Sequence, residues 1–84
     1  MNTLTESIHI SGLVVHCHKE AQPEVVPALA QISGCELHSQ TEDGKLVVTL
    51  ESDSQQSTNA AIEAIGAIAG VINTGLAYHR VEQL

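Results

Sequence analysis

One pattern that occurs twice constrains what this chain can fold into. Leu-Val-Val stands at 13–15 and again at 46–48, and an Ile-x-Gly sequence follows each copy, at 32–34 and 68–70. Each Leu-Val-Val lies in a stretch that can form a strand, and apolar residues at helical spacing precede each glycine. Each glycine stands where a helix can end in a left-handed turn. The repeat therefore predicts two strand–helix units.

Two further segments complete the predicted fold. CELHSQ at 35–40 reads as a short strand, and Asp43-Gly44 after it is a strong hairpin signal. VINTGLAYHRV at 71–81 reads as the last strand. The order βαββαβ in 84 residues predicts one domain, 1–84, of the α+β class. We expect a ferredoxin-like sandwich with a four-stranded antiparallel sheet in the order 4-1-3-2 and both helices on one face.

The helices are predicted from their ends and their apolar spacing. The first falls within 20–33, and Pro23 and Pro27 are both expected near its start, where a missing backbone donor costs little. The second begins after Asp53-Ser54, which are typical N-cap residues. The residues predicted to face inward are Val25, Leu29 and Ile32 in the first helix and Ile62, Ile65 and Ile68 in the second.

Alternation along the strands assigns the two faces of the sheet. The more apolar set is predicted to lie under the helices: Leu13, Val15, Cys17, Leu37, Leu46, Val48, Leu50, Ile72, Leu76 and Tyr78. The opposite face is predicted to carry Val14, His16, His18, Glu36, His38, Val47, Thr49, Asn73, Gly75, Ala77 and His79. This face is either a solvated surface, as antiparallel sheets commonly have, or a shallow platform for an apolar helix or strand, rimmed by groups that can meet a cation.

Composition argues against several kinds of partner. Ten acidic and three basic residues give a net charge of -7, which disfavours nucleic acid and anionic membrane surfaces and fits a cationic partner better. No apolar run reaches the ~20 residues that a membrane span needs. The first ten residues lack a basic residue ahead of an apolar stretch, so we expect no export signal and a cytoplasmic location.

His16-Cys17-His18 raises the possibility of a metal site or a catalytic Cys–His pair. Successive side chains of a strand point to opposite faces, so Cys17 is expected in the core and the histidines on the other side. No CxxC or HxxxH spacing, phosphate loop or nucleophile elbow accompanies them. We therefore expect a protein that binds rather than catalyses, with no catalytic residue, no metal ligands and no cofactor.

The chain also contains, in this order, SGLVVHC at 11–17, ISGCEL at 32–37, DGKLVVTLE at 43–51 and AGVINTGLAYH at 69–79. Their order and spacing resemble the NapD family, the cytoplasmic assembly chaperones of periplasmic nitrate reductase. The resemblance implies a ferredoxin-like fold, no cofactor and no enzymatic activity. It also implies binding of the twin-arginine signal peptide of the molybdenum-containing catalytic subunit, which delays Tat export until cofactor insertion is complete.

Strand alternation predicts which residues would contact such a peptide. The apolar part would lie on Val14, Val47, Thr49, Gly75 and Ala77. Glu36, or acids at the ends of the face, would accept charge-assisted hydrogen bonds from the guanidiniums, and His16 and His79 would donate or accept according to protonation. Two other interpretations stay open: a small-molecule-sensing domain that pairs with a second copy, and a metal carrier that uses His16 or His18.

Overall fold

The computed structural model describes residues 7–83 and has the predicted order of elements. These are β1 (Ser7–Cys17), a 3-10 turn (Lys19–Ala21), α1 (Gln22–Ala30), β2 (Cys35–Gln40), β3 (Lys45–Ser52), α2 (Gln55–Gly66) and β4 (Val71–Gln83). The strands form one antiparallel sheet in the order β2-β3-β1-β4. This order confirms the ferredoxin-like arrangement expected from the repeat.

The two repeat glycines connect each helix to the strand after it. Gly34 and Gly70 have φ angles of 80° and 98°, in the left-handed region that a side chain disfavours. At the start of α2, the Ser54 hydroxyl accepts a hydrogen bond from the Ser57 amide at 3.0 Å. This N-cap satisfies one of the amides that a helix start leaves without an intrahelical partner.

The first helix differs from its prediction in two respects. Pro23 lies in the first turn of α1 as expected, but Pro27 lies inside this nine-residue helix rather than near its start. Proline has no amide hydrogen, so Pro27 removes one hydrogen bond from the helix interior. Ile32 and Ile68 lie just beyond the ends of α1 and α2, although both still pack against the core.

The core lies between the helices and one face of the sheet. Burial of large apolar side chains supplies the main attraction between these layers, at about 1.5–3 kcal/mol for each one fully buried. The buried residues are Leu13, Val15 and Cys17 of β1, Leu46, Val48 and Leu50 of β3, Val25 and Leu29 of α1 and Ile65 of α2. Leu37 of β2 is partly buried against them. The inward assignment of β1, β2 and β3 is therefore confirmed.

The inward assignment of β4 is wrong for Ile72 and Tyr78, whereas Leu76 points to the helix side as predicted but is not buried. Ile72, Leu76 and Tyr78 are exposed, at 57%, 59% and 48% of their surface. Two irregularities in the pairing with β1 explain the positions of Ile72 and Tyr78: Ile72 and Ala77 are extra residues that have no partner on β1. Each such bulge moves the following side chains to the other face of the sheet.

The three residues differ from their predictions in different ways. Ile72 is itself an extra residue, and its neighbour Val71 packs against the core instead. Leu76 lies opposite Leu13 and so points to the helix side, but it stands on an edge strand where the helices leave it exposed. Tyr78 lies opposite Gly12 and points to the face without helices.

Candidate functional site

The sheet face that the helices leave uncovered, called the open face below, is built in rows across the strands. Val14 on β1 lies opposite Val47 on β3 and Gly75 on β4. Directly opposed residues of an antiparallel pair share a face, so these three form one row. Val14 is half-buried, Val47 is 39% exposed and Gly75 has no side chain. The row is therefore apolar and its side chains are short, and it brings three predicted site residues together.

The next row contains Gly12, Thr49 and Tyr78. The Tyr78 ring occupies the space above Gly12, where a Cβ atom would overlap ring carbon Cε2. These two rows surround a shallow depression of about 330 Å³, whose lining is Gly12, Leu13, Val14, His38, Val47, Val48, Thr49, Ala77 and Tyr78. Four predicted residues, Val14, Val47, Thr49 and Ala77, are thus part of one concave surface.

A polar group borders the depression on the side of β2. Glu36 lies opposite Thr49, and the His38 side chain is hydrogen-bonded to Thr49, with 2.7 Å between Nε2 and Oγ1. His38 is the extra residue of a bulge in β2, and its Nε2 lies 3.9 Å from the Glu36 carboxylate. The Glu36 side chain is 75% exposed. Glu36 is therefore available to a cationic group on the open face, as predicted.

Charged residues occupy both ends of the open face. At one end, Glu51 on β3 and Arg80 on β4 lie on either side of Ile10. The Arg80 guanidinium forms an ion pair with Glu82 at 3.3 Å. At the opposite end, the row is formed by His16, Lys45 and Asn73 and contains a lysine but no carboxylate.

His16 lies at the margin of the open face, as predicted, beside the β2–β3 turn. Asp43 of that turn accepts a hydrogen bond from the Thr41 hydroxyl, and this bond lowers the pKa of the Asp43 carboxyl. Desolvation is the second-largest effect and opposes it, while the backbone amide of Asp43, Lys45 and His16 lower the pKa by smaller amounts. The turn thus presents an ionised carboxylate beside the positive charge of Lys45.

His79 is not on the open face, so its predicted placement is wrong. It lies opposite Ser11, on the same side of the sheet as the helices. Its ring stacks on His9 with 5.4 Å between centroids, and 3.3 Å separates Nε2 of His79 from Nδ1 of His9. The bulge at Ala77, which turns Tyr78 onto the open face, moves His79 away from it.

The side chains of His16, Cys17 and His18 lie in three different places, as strand geometry requires. Cys17 is in the core, His16 is on the open face, and His18 lies beyond the end of β1. Cys17 and Cys35 are both free, and desolvation raises the pKa of both thiols, which disfavours the reactive thiolate. Within residues 7–83, no three or more His, Cys, Asp or Glu side chains are grouped as a metal ion would require.

A larger cleft of about 550 Å³ lies on the helix side, between the end of α1 and the start of α2. Three of its polar side chains, those of Ser52, Asp53 and Ser57, already bond to other side chains or to nearby backbone. Ser52 donates to the carbonyl of Ser54 at 2.9 Å and lies 2.5 Å from the Thr58 hydroxyl. None of the predicted site residues lines this cleft, so the open face is the stronger candidate.

Membrane insertion through a helix finds no support in the structure. Neither α1 nor α2 approaches the length and apolar character of a membrane-crossing helix, and the described part of the chain contains no other candidate span.

Comparison with known proteins gives consistent results. The family model described as NapD protein matches residues 8–83. Chaperone NapD of Haemophilus influenzae is 32% identical over 76 residues, which are 89% of this chain and 82% of that protein. The solution structure of the E. coli Tat proofreading chaperone protein NapD superimposes with a TM-score of 0.80 at 26% identity. That match covers 87% of this chain and 78% of the other.

Proposed function

This chain belongs to the NapD family, and we propose that it binds the twin-arginine signal peptide of the periplasmic nitrate reductase catalytic subunit on its open face. Binding would delay Tat export of that precursor until cofactor insertion is complete. The family is one of chaperones rather than enzymes. The name of the E. coli structure, a Tat proofreading chaperone, supports a Tat signal peptide as the ligand class.

The observation that carries the proposal is the low apolar centre of the open face. A signal peptide has a basic segment followed by an apolar segment. The row of Val14, Val47 and Gly75 offers apolar surface with little side-chain height, flanked by Thr49 and by Ala77 of the bulge. A helix or strand with one apolar side can cover this surface, and its burial would favour binding by ~25 cal/mol for each Å² of apolar area removed from water.

Polar groups at the margins fit the basic segment. The exposed carboxylate of Glu36 can accept charge-assisted hydrogen bonds from a guanidinium. The net charge of -7 attracts a cationic segment from a distance. His16 can donate or accept at the other margin. The proposed contacts are therefore Val14, His16, Glu36, Val47, Thr49, Gly75 and Ala77, without His79.

The proposed partner also implies where the chain acts. A precursor carries its signal peptide before export, so a protein that retains it must meet it on the cytoplasmic side of the membrane. We therefore propose a cytoplasmic location.

Calorimetric titration with the nitrate reductase signal peptide tests the proposal. We expect saturable binding without added metal or nucleotide, and weaker binding of a peptide whose arginine pair is replaced by glutamine. Chelator-treated protein should bind as tightly as untreated protein. Absence of binding would overturn the proposal, and loss of binding after chelation would favour a metal carrier instead.

A further inference from the structure

The two ends of the open face differ in charge. One end carries the carboxylates of Glu36, Glu51 and Glu82 against the single guanidinium of Arg80, which Glu82 pairs at 3.3 Å. Glu36 and Glu51 are diagonal neighbours on adjacent strands, a relation that places two residues about 7–8 Å apart. This end, called the acidic end below, therefore has two carboxylates that Arg80 does not neutralise.

The opposite end has a smaller excess of negative charge. Its row contains His16, Lys45 and Asn73, and the adjoining turn adds the carboxylates of Glu42 and Asp43. Two negative groups and one positive group leave an excess of one negative charge there, against two at the acidic end. The low apolar row of Val14 lies between this end and the acidic end.

Tyr78 marks the border between the apolar row and the acidic end. It is the only Tyr, Phe or Trp in the sequence. Its row reads Tyr78, Gly12, Thr49 and Glu36 across all four strands. The ring fills the space above Gly12 and is half-exposed. A guanidinium that lies against the exposed part of the ring, on the side of Thr49, therefore has the aromatic ring on one side and the Glu36 carboxylate on the other, and it is attracted to both.

We infer that a bound twin-arginine signal peptide lies across the open face in one direction. Its arginine pair is at the acidic end, beside Tyr78, Glu36 and Glu51, and its apolar segment runs over Val14 and Val47 toward His16 and Lys45. This inference rests on the proposed function and adds the polarity of the peptide and the role of Tyr78 as a positioning residue.

The reverse direction is disfavoured by the same residues. It would bring the arginines to Lys45, a like charge, and the apolar segment over the carboxylates of Glu36 and Glu51. Covering an unpaired carboxylate with apolar groups removes its hydration without compensation.

The composition of the chain allows a direct measurement of the direction. Because the sequence has one Tyr and no Trp, tyrosine fluorescence of the full chain comes from Tyr78 alone. The probes are two signal peptides without aromatic residues, one with a nitroxide at its N-terminus and one with a nitroxide after the apolar segment. A nitroxide quenches fluorescence only at short range, so we expect stronger quenching by the N-terminal label, at saturation confirmed by calorimetry.

The outcomes separate the direction from the proposed function. Equal quenching, or stronger quenching by the C-terminal label, overturns the inferred direction while peptide binding itself stands. No binding of either peptide overturns both.

Substitutions at the acidic end provide a second measurement. Tyr78→Leu and Glu51→Gln should each weaken binding of the arginine peptide by about two- to five-fold, the equivalent of ~0.5–1 kcal/mol. Tyr78→Phe keeps the ring and should bind normally. The same variants should bind a glutamine-substituted peptide as the wild type does. Glu63→Gln on the exposed side of α2 is the matched control. If Tyr78→Leu and Glu51→Gln weaken binding of the arginine peptide and of the glutamine-substituted peptide equally, the role assigned to Tyr78 and Glu51 is overturned.

Discussion

The ring of Tyr78 lies directly above Gly12, on the neighbouring strand, in the space that a Gly12 side chain would fill. This contact forms part of the floor and wall of the open-face depression. It exists because the bulge at Ala77 brings Tyr78 opposite Gly12. The shape of the candidate site therefore depends on a glycine for space rather than for an unusual backbone angle.

Gly12→Ala tests this relationship. The added methyl group must displace the Tyr78 ring, which is half-exposed and can move, so we expect stability to change by less than ~1 kcal/mol. Peptide binding should weaken because the depression is filled. Gly66→Ala is the matched control, since no atom beyond its neighbours and the backbone of its own helix lies within 4 Å of the added carbon. Because Gly66 is the last residue of α2, the change should stabilise the helix by less than about 1 kcal/mol, and it should leave binding unchanged. Normal binding by Gly12→Ala would show that the depression is not used.

A pair of leucine substitutions tests the difference in burial between facing residues of β1 and β4. Leu13→Ala should lower the free energy of unfolding by ~2–4 kcal/mol, because Leu13 is buried at 1% exposure. Leu76→Ala, directly opposite on β4, should lower it by less than about 0.5 kcal/mol because that side chain is exposed. Urea unfolding followed by circular dichroism measures both. Equal losses would mean that Leu76 is covered in solution.

Most of the fold could be predicted because its signals are local. The repeated Leu-Val-Val and Ile-x-Gly patterns, together with Asp43-Gly44, define the order of elements. The pairing of β1 with β3 is regular, so simple alternation gives the correct face for Val14, Val47 and Thr49. These residues form the centre of the candidate site.

The last strand could not be predicted in the same way. Ile72, Leu76 and Tyr78 all stand at even positions, as residues that face the core along a regular strand would. This pattern does not indicate that two bulges add extra residues to the strand. An edge strand is also covered on fewer sides, so apolar residues there need not be buried. The misplaced His79 and the missed Tyr78 both follow from the bulge at Ala77. Gly75, within the strand, was the one local hint of irregular pairing.

Thiol reactivity tests the burial of the cysteines. Desolvation raises the pKa of both thiols, so the thiolate population at neutral pH is small. Cys17 is in the core and Cys35 is partly buried, so we expect slow alkylation of Cys35 and alkylation of Cys17 only through unfolding. Mass spectrometry during a timed reaction with iodoacetamide, with and without urea, gives both rates. Rapid modification of Cys17 without urea would contradict its place in the core.

The most direct test of the open face is Val47→Glu. The side chain of Val47 is at the centre of that face and already meets water, so the variant should keep its circular dichroism spectrum and melting temperature. In the complex the new carboxylate would be buried against the apolar segment of the peptide, where an unpaired charge is costly. Ala64→Glu adds the same charge on the exposed side of α2 and is the matched control.

Calorimetric titration of the wild type and both variants with the twin-arginine peptide, at matched salt, decides the question. Matched salt is needed because an added acid also attracts the arginines. We expect Val47→Glu to lose more than tenfold in affinity, about 1.4 kcal/mol, while Ala64→Glu binds as the wild type does. Normal binding by a folded Val47→Glu variant, together with loss of binding by Ala64→Glu, would show that the peptide docks on the helices and not on the open face.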